Sequence, residues 1–297
     1  IGPSGYAVHT RELTNAINKY HEVKLIAQIP PGFELQINDE ELKMIRREEG
    51  KINLIIDLPF NWKQYANKKN NIGFLVWEGD RIPYSWLEHI QDEKMSQIWV
   101  PSSHVYNAIK TTWNNDIEWQ IIKDKIKIIP HGVDLLTFKP KTLIKEKIPI
   151  ILVNKGFRNE MDRGGIQHAI RAFIQEFKKG EAILMLKINP AYAMPPEQLV
   201  NIIKKYQMEE RNNEMAEIRY SYEFMTKEKM AELYNLAEIL LNPTEAEAFS
   251  LPSLEAMACG IPVIATNFGG QTDFITTNNG WLIDYDLHEV KHEITYE

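Results

Sequence analysis

The chain has 297 residues, enough for about two domains that each bury a core, which excludes a small stapled module. Hydrophobic residues make up 44% and charged residues 25%, ordinary globular usage that excludes a disordered or fibrous chain. The net charge of −7 lies almost wholly in residues 141–297, with 17 basic against 23 acidic side chains, while residues 1–140 carry 17 and 18; no basic face for nucleic acid is expected.

The apolar runs, such as 150–153 and 182–186, are far shorter than the ~20 residues of a membrane-spanning helix. The single cysteine, Cys259, cannot form an intrachain disulfide or a Cys-based zinc cluster, so a reducing, cytoplasmic setting is expected. The sequence starts at Ile1, directly before a glycine turn, and stops at Glu297 in a charged stretch, so a longer natural protein is expected.

In chain order, Gly2-Pro3-Ser4-Gly5 opens a helix near Tyr6 whose apolar positions are Leu13, Ala16, Ile17 and Tyr20. Glycines let backbone N–H groups approach a phosphate, although this turn lacks the lysine of a P-loop and the spacing of a dinucleotide fingerprint. Short Ile/Val/Leu-rich runs predict strands at 23–27, 53–57, 72–77, 97–101 and 127–130, alternating with stretches of helical period. The lysine-rich segment 138–147 separates these from a second set at 150–154, 182–188, 219–222, 239–242, 261–266 and 281–283. The expectation is an α/β protein of two Rossmann-like parallel-sheet domains, 1–140 and 141–297, facing each other across a cleft. Ligands in such sheets collect at the carboxyl ends of strands, so the loops there are the place to look for chemistry.

Several of those loops carry chemistry-bearing residues. Val76 to Trp86, VWEGDRIPYSW, follows a strand and offers Glu78 and Asp80, while its aromatics Trp77, Tyr84 and Trp86 suit a core better than a sugar platform. After the strand at 150–154 come Lys155, Arg158 and Arg163, the last before Gly164-Gly165 and a helix striped by Ile166, Ala169, Ile170, Phe173, Ile174 and Phe177. Residues 242–260, NPTEAEAFSLPSLEAMACG, predict a helix over 252–259, with Pro252 at its first position and Gly260 as the left-handed residue that stops it. Its free N–H groups near Ser250, Leu251 and Ser253 form an anion seat, flanked by Glu247 and Glu255. His131, next to Gly132, suits a structural role or the cleft. His288-Glu-Val-Lys-His292 matches a zinc-hydrolase signature with only five residues left to supply a third ligand, and Asp284-Tyr285-Asp286 suits a solvated loop.

Glu247-x7-Glu255 within EAFSLPSLEAMACGIPVIAT resembles the Glu-x7-Glu signature of retaining glycosyltransferases of the GT-B fold, family four, the glycosyl transferases group 1. IPHGVDLLTFKP at 129–140, Gly269-Gly270 with Asp273, and Gly280-Trp281-Leu282 are similar to the family in the same order. The resemblance implies transfer of a hexose from a nucleotide diphosphate sugar to an acceptor hydroxyl, with retention, no metal and no cofactor beyond the donor itself. It makes the first domain the acceptor side and the second the nucleotide-sugar side. It implies that Glu255 holds the ribose, that Glu247 contacts the sugar hydroxyls, and that the backbone at Phe249, Ser250 and Leu251 lines sugar and diphosphate.

A basic pair, Arg158 and Arg163, falls where the family contacts the diphosphate; Arg163 replaces a Lys, and Lys155 is an alternative for the first role. Gly5 marks the turn that meets diphosphate and acceptor, and Phe224 the loop beside the base, which leaves UDP and GDP undistinguished. Glu78 stands where many members place a His near the sugar. The acceptor is a saccharide, a lipid or another hydroxyl compound, so peripheral membrane contact stays open. Other readings are a GT-B epimerase, a non-catalytic sugar-nucleotide-binding subunit, supported by the altered loop at Glu78, and a zinc hydrolase using HEVKH.

Overall fold

In the computed structural model the described residues are 5–25, 39–45, 50–66, 70–113, 115–160, 162–287 and 289. After α1 (Gly5–Asn18) and α2 (Asp39–Met44) come β1 (Asn53–Ile56), α3 (Trp62–Tyr65), β2 (Asn71–Phe74), α4 (Leu87–Gln91), β3 (Met95–Val100), α5 (Ser103–Thr112), α6 (Asp116–Ile122) and β4 (Ile126–Ile128). These strands form a parallel sheet in the order β1-β2-β3-β4. The predicted strand at 23–27 reduces, within the described residues, to one parallel bridge between Leu25 and Ile45. Residues 26 and 27 lie outside the described set.

The second half runs β5 (Ile150–Phe157), α7 (Ile166–Glu176), β6 (Ile183–Ala193), α8 (Pro196–Glu209), β7 (Glu217–Ser221), α9 (Lys227–Leu236), β8 (Ile239–Asn242), α10 (Leu251–Ala258), β9 (Val263–Thr266) and β10 (Trp281–Ile283). Its six parallel strands are ordered β10-β9-β8-β5-β6-β7. The chain therefore builds outward from β5 through β6 to β7, then returns to β8 and builds the other way. Between β5 and β8 the order reverses, and there the loops leaving the two strands part and open a crevice. Both β5 and β6 outrun the sequence expectation, because they go on pairing past an irregularity at Lys155/Phe157, with Phe157 opposite Ala193.

Helices cover both faces of this sheet. Ile166, Ile170, Phe173 and Ile174 of α7 pack with Leu199, Ile203 and Tyr206 of α8 on one side, and Ala231 and Tyr234 of α9 pack with Ala256 of α10 on the other. The first sheet has its own core around the fully buried Trp62, Trp86, Leu75 and Ile98, and Ala248 of the second half inserts into it. Each such buried large side chain contributes about 1.5–3 kcal/mol, so each half has a substantial core of its own. Trp86 belongs to the core as expected, whereas Tyr84 is exposed.

No helix among the described residues is long and apolar enough to cross a membrane.

Candidate active site

Helix α10 is built by local chemistry. Ser250 takes a left-handed backbone, φ 75°, and its side chain does not cap the helix, whose first N–H groups lie at the end of the Glu247 loop. At the other end Gly260, φ 78°, closes a Schellman motif: its N–H reaches the Met257 carbonyl and the Ile261 N–H that of Ala256, both at 2.9 Å. The helix starts one residue before the predicted position. Asn242 at the end of β8 braces the loop, its amide Nδ2 lying 3.1 Å from both Ser250 and Ser253 hydroxyls and 2.9 Å from Gln271 Oε1.

The loops leaving β5 and β8 meet across the crevice. Lys155 Nζ donates to Glu247 Oε2 at 2.5 Å, and both side chains are largely buried, 11% and 17% exposed. Burial pushes the Glu247 carboxyl up, but Lys155, Arg163 and the Phe249 N–H outweigh it and hold the acid below its ordinary value. Glu247 is thus a carboxylate at neutral pH. Arg163 reaches from the same side, Nη1 donating to the Ala246 carbonyl at 2.7 Å and Nη2 to Glu78 Oε1 at 2.6 Å. Its own carbonyl accepts the Glu245 N–H at 2.8 Å, which laces the two loops together.

Glu78 follows β2, so the Arg163 pair bridges the two sheets. Burial raises the Glu78 carboxyl, with Glu247 adding to the rise and Arg163 and Lys155 opposing it. Arg158 is not part of this cluster: its guanidinium lies over the Tyr192 ring, 4.6 Å from the centroid, because the unforeseen extension of β6 puts an aromatic there. Lys155, the alternative to Arg158 for the first basic position, is the one of the two that lies beside Glu247.

Glu255, one turn into α10, accepts the Tyr234 hydroxyl at 2.9 Å, and Tyr234 in turn accepts Asn154 Nδ2 at 2.9 Å. Burial pushes the Glu255 carboxyl up to about 7, with Tyr234 and Lys227 acting against it. Phe249 and Ser250 are buried, Leu251 is half-buried as the first residue of α10, and Phe224 is exposed on the loop between β7 and α9. Gly5 starts α1; residues 2–4 of its turn lie outside the described residues.

No motif in the sequence marks Tyr234, Asn154 or His9 as part of this site. The rings of His9 of α1 and His131 lie tilted against each other, centroids 4.0 Å apart, with Phe74 against both and Phe249 edge-on to His131. Burial lowers them to about 4 and about 3, so both imidazoles are neutral at neutral pH. His9 stands in no motif, whereas His131 lies in the segment IPHGVDLLTFKP.

Further contacts tie the halves. The Ser102 hydroxyl donates to the Ala248 carbonyl at 2.7 Å, and the Ser103 N–H donates to Asp273 Oδ2 at 2.7 Å while its hydroxyl meets Oδ1. Lys227 pairs with Glu12 of α1. The zinc signature lies outside the described residues except for Glu289, and among the described residues no group of three or more His, Cys, Asp or Glu could hold a metal ion. Asp284, Tyr285 and Asp286 form an exposed loop.

Residues 204–294 match the family described as glycosyl transferases group 1. A probable sucrose-phosphate synthase of Thermosipho melanesiensis is 32% identical over 165 residues, which span 52% of this chain and 35% of that protein. Among solved structures, sucrose-phosphate synthase from Thermosynechococcus elongatus superposes with a TM-score of 0.57 at 19% identity, covering 78% of this chain and 60% of that one. HepE of Anabaena in complex with UDP superposes with a TM-score of 0.56 at 15% identity, covering 78% and 65%. The structural likeness shows the fold, two parallel-sheet α/β domains in the GT-B arrangement. The chain spans about a third of the curated relative's length and less than two thirds of that of each solved protein.

Proposed function

We propose that the protein transfers a hexose from a nucleotide diphosphate sugar to an acceptor hydroxyl, with retention of anomeric configuration, a reading supported by the match of residues 204–294 to the glycosyl transferases group 1 and by the GT-B architecture. The observation that carries this reading is the meeting of Lys155, Glu247, Arg163 and the N-terminus of α10 at the sheet's switch point, with Glu255 one turn behind. Two cations and a helix N-terminus around one crevice suit a diphosphate leaving group, and two flanking carboxylates suit the hydroxyls of two sugars.

In this mechanism Glu255 accepts hydrogen bonds from the ribose and Glu247 from the transferred sugar. Arg163 and Lys155, rather than Arg158, lie against the diphosphate, and with the α10 N–H groups they stabilise the charge that grows on it as the glycosidic bond breaks. A guanidinium can grip phosphate oxygens in a bidentate fork, so Arg163 serves in place of a lysine. The acceptor's proton passes to a donor phosphate oxygen, and no protein nucleophile forms a covalent intermediate. Charge stabilisation by the two side chains makes a divalent cation dispensable. Glu78 positions Arg163 from the acceptor-side domain. The domain boundary falls in residues 138–147, and the buried lone thiol of Cys259 suits a reducing, cytoplasmic compartment.

The test follows donor consumption and product anomer by NMR, with a panel of nucleotide sugars and of saccharide and lipid acceptors. Acceptor-dependent release of nucleoside diphosphate, an axial donor bond giving an axial product bond, and rates unchanged by EDTA are expected. Inversion would overturn the retaining assignment, and a sugar product formed without acceptor would make the protein an epimerase.

A further inference from the structure

Lys187 lies on β6 and is only 5% exposed, yet among the described residues its ammonium has a single hydrogen-bond acceptor, the carbonyl oxygen of the adjacent Ile188 at 3.2 Å. An ammonium carries three donors, and burying one with so few acceptors is costly. The core does not call for it: Ile183 and Met185, four and two positions earlier on the same face, pack against apolar neighbours. Burial lowers its proton affinity, opposed by Glu223, whose carboxylate is itself paired with Lys229 at 2.7 Å.

Strand register shows what this lysine faces. Lys187 is the cross-strand partner of Asn154 on β5 and of Ser221 on β7. Three polar side chains therefore stand in a row on one face, on strands about 4.8 Å apart. The row begins at Asn154, which is hydrogen-bonded through Tyr234 to Glu255, and runs away from the crevice toward the loop that bears Phe224, 59% exposed. A nucleoside whose ribose is held at Glu255 therefore meets the head of this row, and a base that extends away from a diphosphate at Arg163 would run along it toward Lys187.

We propose that Lys187 reads the base of the nucleotide: its ammonium donates to an exocyclic carbonyl oxygen, so the protein selects oxo bases, uracil or guanine, and rejects bases that present an amino group at that edge. The inference rests on the reading of Glu255 as the ribose ligand. A lysine is donor-only, so an amino group facing it leaves two donors opposed and both unpaired, the arrangement that gives strong discrimination. The exposed Phe224 ring supplies a stacking face that does not distinguish among bases.

Two pairs of ligands isolate the edge, because UDP and CDP differ there as oxo and amino, and so do IDP and ADP. Calorimetric dissociation constants for all four are measured with the wild type, Lys187→Met and Glu255→Gln. The wild type is expected to prefer the oxo member of at least one pair by tenfold or more, and Lys187→Met to reduce that preference below threefold. Equal affinities within both pairs overturn the inference on the wild type alone, whether or not the variant folds. A preference that survives in Lys187→Met also overturns it, while diphosphate binding weakened in Glu255→Gln would leave the donor-site reading standing. No binding of any of the four to the wild type would overturn both.

Discussion

Glu255 carries the sharpest consequence at the scale of single residues. Its carboxyl titrates near 7 because burial penalises its charge more than Tyr234 and Lys227 relieve it. As the ionised ribose acceptor it loses that role on protonation, so nucleoside diphosphate affinity should fall as pH drops through about 7, a dependence that calorimetry should find absent in Glu255→Gln. Stability runs the other way. An acid whose folded value lies above its unfolded one adds stability below the unfolded value and loses it as pH rises through the folded value, here between about 4.5 and 7. Glu255→Gln should therefore raise the unfolding free energy relative to wild type at pH 8, by up to about 3 kcal/mol, and change it little at pH 4. Arg163 gives a second check. Exposed by 52%, it contributes little to folding, and Arg163→Ala should weaken nucleoside diphosphate by about tenfold while leaving the nucleoside nearly unchanged. Equal losses of both in titration calorimetry would mean that the arginine does not face the phosphates.

Among the elements, two glycines at the ends of the site show different reasons for the same residue. Gly260 has a left-handed backbone, and an added Cβ would press on a single neighbour, Pro140, with Cγ at 3.3 Å, a contact that a shift of a few tenths of an ångström relieves. Gly270 has no unusual φ, but an added Cβ would stand 1.8 Å from the Ala248 carbonyl oxygen and 2.7 Å from Ser102 Oγ. Chemical denaturation should find Gly260→Ala costing about 1 kcal/mol, the ordinary penalty of that conformation, and Gly270→Ala costing more than 3 kcal/mol and displacing the Glu247 loop. What could be read from sequence divides along the same line. The helix over 252–259 was legible to within one residue because Pro252 and Gly260 act locally, through their own φ and hydrogen bonds. A strand exists only with a partner: the apolar run at 23–27 looks like one, yet within the described residues it makes a single bridge. The tails of β5 and β6 lie past the expected strands because Lys155-Gly156 after the first and Asn189-Pro190 after the second interrupt the apolar pattern while the ladder continues. The paired glutamates and both arginines were visible as residue types at a spacing, but spacing does not tell which way a side chain turns. Tyr192 draws Arg158 aside, and Glu255 finds Tyr234 at a separation of 21 residues that no motif marks.

For the whole molecule, the halves have separate cores and meet through polar contacts: Arg163 with Glu78, Ser103 with Asp273, Lys227 with Glu12. Pairs of this exposure contribute roughly 0–1 kcal/mol each, so they fix how the halves are aligned more than they hold them together. Asp273→Ala should accordingly leave the melting temperature within a few degrees of wild type but lower the affinity for a nucleotide sugar several-fold, since the Ser103 contact no longer favours the aligned arrangement. An unchanged affinity would show that this contact plays no part in binding. Ala248 behaves differently from these pairs. Its carbonyl accepts the Ser102 hydroxyl and its methyl group is 2% exposed inside the first half's core, although its chain neighbours Glu247 and Phe249 belong to the site. The size of one side chain thus sets the closest approach of two bodies, in the manner of a shim. A leucine at position 248 should hold the halves ajar with each core intact, increasing the radius of gyration in solution scattering, and Ala248→Gly should let them seat more loosely; graded substitution at this one position would tune the gap between the domains without touching a residue that meets the substrate.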